Sequence, residues 1–161
     1  VPWSHQTHLP GTMTQSGFAT PEEAEQAFYR AFQNADLHLM TEVWAERDFV
    51  ECIHPMADRV YGHARVLDSW RRIFAGGLRV QLQLSDVHRT HDALLAIHVV
   101  YEHLRVPGQA SDYPPVIATN VYQLLETGWF MILHHASPST ATEHEDHTEL
   151  VTEAQSGSRL H

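Results

Sequence analysis

The sequence predicts an α+β fold in which three helices precede, and pack on one face of, a strongly curved antiparallel sheet. Two observations lead to this prediction. Apolar residues recur at helical spacing in three stretches before residue 76, whereas alternating apolar and polar residues dominate residues 78–138. Runs of helix followed by runs of strand are typical of α+β domains, with the helices on one side of the sheet. The predicted order is α-α-β-(β)-α-β-β-β-β, which leaves a conical pocket between helices and sheet.

The first two helices carry clear start signals. Thr20 is the predicted N-cap, Pro21 follows at the first helical position, and Glu23 completes a capping box. Asp36 is expected to cap the second helix. The third helix is predicted over residues 63–75, followed by Gly76-Gly77 as its end.

The strands follow from alternation and from turn residues. Residues 48–54 form the first predicted strand, and Pro55 stops it. Residues 78–85 alternate cleanly and are expected to continue to about residue 88, before a longer strand over residues 94–105. A hairpin then covers residues 116–135, with Glu126-Thr127-Gly128 as its turn because glycine adopts positive φ without strain.

Composition indicates one globular domain with short extensions. The chain has 161 residues, of which 43% are hydrophobic, so it can bury a core. We expect residues 1–17 to be a flexible N-terminal extension, residues 18–138 the domain, and residues 139–161 a disordered acidic and polar tail.

The net charge and the cysteine content limit the classes of binding partner and the cellular compartment that we expect for this protein. The formal net charge of −10 argues against nucleic acid or an anionic membrane as a partner. The single cysteine, Cys52, fits a reducing compartment, and no apolar run reaches membrane-spanning length. We therefore expect a cytoplasmic protein. Most of the 14 histidines are expected to be solvated surface residues.

Four stretches resemble the SnoaL-like branch of the nuclear transport factor 2 (NTF2)-like superfamily, over about residues 20–138. They are FYRAFQNADLHLMTEVWAE (28–46), VECIHP (50–55), YGHARVLDSWRRIFAGG (61–77) and ATNVYQLLETGWFMILHHASP (118–138). The resemblance implies a cone-shaped barrel with a cystatin-like α+β fold, and commonly a homodimer packed through the outer sheet face. It does not imply one reaction, because this fold hosts isomerases, cyclases, dehydratases and proteins without activity. The aspartate and tyrosine arrangement of ketosteroid isomerases has no clear counterpart here.

Strand alternation selects the side chains that face the cone. We expect Val50, Cys52 and His54 to face inward on the first strand. The inward set on the long strand is predicted to be Ala96, His98, Val100 and Glu102. On the hairpin it is predicted to be Ala118, Asn120 and Tyr122, opposite Trp129, Met131, Leu133 and His135. Phe130, Ile132 and His134 would then form an outer apolar patch suited to a dimer interface.

These inward groups define a candidate small-molecule site. The predicted catalytic residues are His54, His135 and Glu102, because imidazole titrates near neutrality and a carboxyl in a dry pocket has a raised pKa. The predicted ligand-binding residues are Trp44, Trp70, His98, Asn120 and Tyr122. A purely structural role is also open for each inward histidine, and both tryptophans fit a core. An error of one residue in the assumed alternation would turn every side chain of that strand to the opposite face.

Three hypotheses of function remain open from the sequence. The first is an enzyme that transfers a proton on an apolar or aromatic carbonyl compound, as isomerases, cyclases and dehydratases do, without a cofactor. The second is a non-catalytic ligand-binding or dimerisation module. The third is a metal site built from His54, His98, Glu102 and His135, which ranks last because the spacing matches no known metal motif; we predict no metal.

Overall fold

The architecture is that of the predicted α+β fold. In the computed structural model, residues 15–77, 79–110 and 113–140 are described. The expectations for residues 1–14 and 141–161 lie outside them. The elements in chain order are α1 (Pro21–Asn34), α2 (Leu37–Val43), β1 (Glu51–Ile53), β2 (Val60–Tyr61), α3 (His63–Ala75), β3 (Gln81–His91), β4 (Leu95–Arg105), β5 (Val116–Leu125) and β6 (Gly128–Pro138).

The helix ends follow the predicted capping chemistry. The Thr20 side chain accepts a hydrogen bond from the backbone N–H of Glu23 at 3.1 Å. The Glu23 carboxylate reaches back to the N–H of Ala19, one residue before the cap, at 3.2 Å. Asp36 caps α2 by accepting from the N–H of Leu39 at 3.0 Å. These bonds satisfy backbone donors that a helix start otherwise leaves unpaired.

The six strands form one sheet in the order β2-β1-β6-β5-β4-β3. Neighbouring strands are antiparallel except for β1 and β6, which pair in parallel. The expectation of a wholly antiparallel sheet was therefore wrong at this one pairing. The reason is connectivity, since α3 and four strands (β2 to β5) separate β1 from β6 in the chain, and β6 returns beside β1 in the same direction.

The helices cover one face of the sheet and enclose the core there. The largest fully buried side chains include those of Phe28, Trp44, Trp70, Tyr122 and Met131. Burial of such side chains stabilises the fold by roughly 1.5–3 kcal/mol each. The space that the sequence predicted as a conical pocket is thus largely occupied by aromatic and aliphatic side chains.

Two β-bulges change which residues face this core. In β3 the register with β4 shifts between Ser85 and His88, and Asp86 adopts a left-handed conformation with φ of 45°. In β6 the register with β5 shifts at Ile132, so that Asn120 pairs with His134 instead of Leu133. An extra residue in one strand reverses the facing of every residue beyond it.

The segment before α1 packs on the end of α2 and on the β5–β6 hairpin. The Gln15 side chain donates to the carbonyls of Thr41 at 3.0 Å and Trp44 at 2.9 Å. Gly17 donates its N–H to the carbonyl of Thr127 at 3.2 Å. Phe130 is 2% exposed, and a Cβ at Gly17 would lie 2.7 Å from its ring. Phe130 therefore does not belong to an exposed outer patch, which corrects that prediction.

Within the described ranges, no helix is both long enough and apolar enough to cross a lipid bilayer.

Candidate functional site

A buried chain of hydrogen bonds joins α1 to three strands on the inner face of the sheet. The Tyr29 hydroxyl lies 2.8 Å from Oε1 of Glu102, and Nδ2 of Asn120 lies 2.8 Å from the Tyr29 hydroxyl. Nδ1 of His134 lies 2.6 Å from Oδ1 of Asn120. Glu102, Asn120 and His134 are each at most 2% exposed. The four side chains form one network that we call the Glu102 chain.

The donors in the Glu102 chain have a fixed direction. The Asn120 amide donates to the Tyr29 oxygen, so the single Tyr29 proton is free to donate to Glu102. Because the Asn120 carbonyl oxygen only accepts, Nδ1 of His134 carries the proton and donates to it. Every polar group along this path thus points its donor toward the Glu102 carboxyl.

Burial shifts the two ends of the chain toward their neutral forms. Burial raises the pKa of Glu102 to about 7, although the Tyr29 hydrogen bond opposes this rise. Burial lowers the pKa of His134 to about 3, assisted by the charges of His54 and His135. Glu102 is therefore a carboxyl group that exchanges its proton near neutral pH, whereas His134 is a neutral imidazole.

A second buried cluster links α1 to β3 and β4. Nδ1 of His98 lies 2.6 Å from Oε2 of Glu25. Arg89 donates to Oε1 of the same carboxylate through Nε at 3.1 Å and through Nη2. The β3 bulge produces this arrangement, because it places Arg89 directly opposite His98 in the ladder. We call this group the Glu25–His98 dyad, with Arg89 as its cation.

The Glu25–His98 dyad holds an ionised carboxylate against an imidazole. Burial opposes ionisation of Glu25, but hydrogen bonds from His98 and Arg89 outweigh it and lower the pKa of that carboxyl. Nδ1 of His98 therefore donates to the carboxylate, and Nε2 has no hydrogen-bond partner among the described residues. The Tyr122 hydroxyl is likewise buried without a partner there, and the two rings are 4.9 Å apart. Buried polar atoms of native proteins are nearly always paired, so these two unpaired atoms are the candidates for contact with a water molecule or a ligand group.

His54 anchors the first strand to α3. The Ser69 hydroxyl donates its proton to the carbonyl of Val66 at 2.7 Å. Nε2 of His54 lies 3.0 Å from the Ser69 hydroxyl oxygen. Because the hydroxyl proton already goes to Val66, Nε2 of His54 must donate the hydrogen bond to that oxygen. Burial lowers the pKa of His54 and keeps it neutral, and its ring packs on Trp70 with 4.8 Å between centroids.

Two surface grooves of similar size flank Glu102. One, of about 350 Å³, lies between α1 and β3 and includes Tyr29 and Leu84 in its lining; the other, of about 360 Å³, is apolar and includes Leu104 and Val116. Leu84 and Val116 are the cross-strand partners of Glu102 on either side. Glu102 is therefore the direct cross-strand neighbour of one lining residue of each groove.

The structure brings most of the predicted site residues onto the inner face. His98, Asn120 and Tyr122 are fully buried there, Glu102 is 2% exposed, and Trp44 and Trp70 lie in the core. His54 is half-buried. The roles predicted for these residues remain predictions.

His135 does not face the interior, which corrects its prediction. Its side chain is exposed, while the neighbouring His134 is 2% exposed. The physical reason is the bulge at Ile132, which reverses the facing of the last part of β6. The hypothetical metal site is also not assembled: no group of three or more His, Cys, Asp or Glu side chains in the described ranges is placed to hold a metal ion.

Four residues of these networks were missed from the sequence: Glu25, Tyr29, Arg89 and His134. Glu25 did carry a signal, since it lies at helical spacing with Tyr29 and Phe32 on the apolar side of α1, where a charge is unusual. No signal in the sequence marks the bulge that turns His134 inward.

Comparison with known proteins agrees with this architecture. The family model for the SnoaL-like domain matches residues 22–141. A crystal structure from Thiobacillus denitrificans, provisionally described as a calcium/calmodulin-dependent protein kinase type II association domain, is 44% identical. It superposes with a TM-score of 0.72 and covers 76% of this chain and 98% of that one.

Two further relatives have other descriptions. A Streptomyces avermitilis structure, provisionally described as a dehydratase of the NTF2-like family, is 30% identical, with a TM-score of 0.67 and coverage of 74% of this chain and 94% of that one. The F-box protein SKIP8 of Arabidopsis thaliana is 26% identical over 110 residues, which are 68% of this chain. The matched region spans 46% of that curated relative's length.

Proposed function

The chain belongs to the SnoaL-like domain family, and from that premise we propose that it is a small-molecule enzyme that moves a proton on a carbonyl compound. In this proposal His98 is the general base. The observation that carries it is the 2.6 Å contact between Nδ1 of His98 and Glu25, combined with an Nε2 that has no partner among the described residues.

The Glu25–His98 dyad has the form that makes imidazole an effective base. A carboxylate that accepts from one ring nitrogen fixes the tautomer, orients the ring and stabilises the imidazolium that forms on proton uptake. The other nitrogen is then left bare to take a proton from substrate. Hydrogen bonds from His98 and Arg89 lower the pKa of Glu25, so the carboxylate retains the negative charge that this role needs.

Tyr122 supplies the complementary donor. When a base removes a proton from the carbon next to a carbonyl, negative charge develops on the carbonyl oxygen, and a fixed hydroxyl stabilises that charge. The Tyr122 ring packs on the His98 ring, and its fully buried hydroxyl has no hydrogen-bond partner among the described residues. Burial holds its pKa well above the ordinary value, so it stays protonated and donates.

In this proposal Glu102 is a second group of the inner face that can exchange a proton. Its pKa of about 7 lies where a group gives and takes a proton with little driving force in either direction. The similarity to the 30% identical protein described as a dehydratase is consistent with proton transfer of this class. Glu25, Tyr29 and Arg89 line the α1–β3 groove, and Glu25 links that groove to the buried His98.

Exchange of carbon-bound protons with solvent tests this proposal without knowledge of the natural substrate. A panel of aryl ketones and short keto acids is incubated with the protein in D2O, and deuterium uptake next to the carbonyl is followed by NMR. His98→Gln should lower the enzyme-dependent rate by about 100- to 10,000-fold, whereas the exposed His135→Gln control should not. Equal rates for His98→Gln and the unaltered chain would refute His98 as the base.

A second candidate function is self-association without catalysis. The outer face of β4 exposes an apolar row in which Leu95, Ile97 and Val99 are 40%, 45% and 36% exposed. An apolar row of this kind suits a homodimer packed through the outer sheet face. The 44% identity to a protein described as an association domain favours the same candidate.

A further inference from the structure

The groove between α1 and β3 combines two guanidinium groups with an apolar floor. Arg30 and Gln33 line it from α1, while Leu82, Leu84 and Arg89 line it from β3. Its volume of about 350 Å³ lies at the small end of the range for ligand pockets. The groove therefore has room for a short molecule.

The groove carries more positive than negative charge, although the chain as a whole carries −10. Arg30 makes no hydrogen bond or ion pair with any described residue, and no acidic residue stands three or four positions from it on α1. Arg89 uses Nε and Nη2 on Glu25, which leaves Nη1 without a described partner. Of the charged side chains that line the groove, one is a carboxylate and two are guanidinium groups, so the lining carries a net positive charge that an anion would complement.

The remaining lining sets the shape of that anion. Leu82 and Leu84 are half-buried and present hydrocarbon to the groove. Oε1 of Gln33 accepts the backbone N–H of Leu82 at 2.9 Å, so the Gln33 amide nitrogen is free to donate. Guanidinium groups match the planar geometry of a carboxylate, and leucine side chains match an alkyl or aryl body.

We propose that this groove binds a small amphipathic carboxylate, with its carboxylate at Arg30 and Arg89 and its hydrocarbon body on Leu82 and Leu84. The inference rests on the proposed function in one respect: it names carboxylic acids as the substrate class for the Glu25–His98 dyad. Glu25 and Arg89 belong to both the groove and the dyad, so a carboxylate that binds Arg89 lies next to the groups that orient His98.

Titrations with matched acids and amides test the inference. Hexanoate, benzoate, hexanamide and benzamide are titrated into the protein at low salt and followed by NMR. The acids should bind at least tenfold more tightly than the amides of the same shape, and added salt should weaken only the acids. Acids and amides that bind equally would overturn the inference.

Substitution of the unpaired arginine locates the binding. Arg30→Gln should weaken hexanoate binding about tenfold and leave hexanamide unchanged. Arg59→Gln is the matched control, because Arg59 is an exposed arginine just before the edge strand β2 and does not line the groove. Unchanged hexanoate affinity in Arg30→Gln, or an equal loss in Arg59→Gln, would contradict the assignment.

The His98→Gln variant separates this inference from the proposed function. It should bind hexanoate as the unaltered chain does, while proton exchange is lost. Carboxylate binding that depends on Arg30, together with an absence of exchange in every protein, would support the groove and refute the proposed function. Exchange that needs His98 but shows no preference for acids would support the function and refute the groove.

Discussion

Nδ1 of His134 lies 2.6 Å from Oδ1 of Asn120 across the β5–β6 ladder, while the next residue along, His135, is exposed. This pairing exists only because β6 carries an extra residue at Ile132. A similar bulge in β3 brings Arg89 opposite His98. Both buried polar networks of the inner face therefore depend on local departures from regular strand geometry.

The adjacent histidines should differ sharply in their effect on stability. His134→Ala removes a buried ring and leaves Oδ1 of Asn120 without its donor, so the free energy of unfolding should fall by about 2–4 kcal/mol. His135→Ala is the control and should stay within about 0.5 kcal/mol. Urea denaturation measures both, and equal losses would contradict the placement of His134 inside and His135 outside.

Glu102 should make the protein less stable as pH rises. Its pKa is about 7 in the folded state against 4.5 as the reference, so the folded state binds more protons between these values and stability falls with pH. Glu102→Gln keeps the acceptor for Tyr29 but cannot ionise.

Between pH 5 and pH 8, the free energy of unfolding of the unaltered chain should therefore fall by about 2–3 kcal/mol relative to that of Glu102→Gln. Burial of neutral His134 has the opposite pH dependence, but it is present in both proteins and cancels. Unfolding free energies at the two pH values provide the measurement. A difference that does not change with pH would show that Glu102 does not titrate near 7.

Gly17 should not tolerate a side chain. A Cβ there would lie 2.7 Å from backbone atoms of Gly128 and from the Phe130 ring. Gly17→Ala should therefore lower the melting temperature, with a cost of about 1–3 kcal/mol, whereas Ser16→Ala at the neighbouring exposed position should not. A Gly17→Ala variant as stable as Ser16→Ala would mean that residues 15–18 do not pack on the hairpin as described.

Self-association through the outer face should depend on its apolar row. Ile97→Lys places a charge in the middle of that row and should convert a dimer into monomers. Leu124→Lys is a control on another strand with similar exposure, 36% against 45%. Light scattering coupled to size-exclusion chromatography gives the mass, and a dimer that survives Ile97→Lys would exclude this surface.

The sequence predicted the fold well because capping and periodicity act locally. Thr20, Glu23 and Asp36 cap the helices as their spacing indicated. The inner face of β4 followed from simple alternation, which placed His98 and Glu102 correctly. Such features need only the neighbouring residues to determine them.

The site was harder to predict because it depends on register. A bulge adds one residue without any fixed sequence motif, so alternation assigned His135 to the interior where His134 lies. Glu25 contributes through partners 64 and 73 positions away in the chain, Arg89 and His98. Contacts of that separation arise from tertiary packing, so the local sequence could mark Glu25 as an unusual charge on α1 but could not identify its partners.

The most direct test of the central claim is the protonation of the two ring nitrogens of His98, measured by ¹⁵N NMR of ¹⁵N-histidine-labelled protein at pH 8. His98→Gln assigns the resonances by their disappearance. The account predicts a proton on Nδ1, held by Glu25, and a bare Nε2 ready to accept one. A proton on Nε2 with a bare Nδ1 would contradict it, because His98 would then be unable to act as the base.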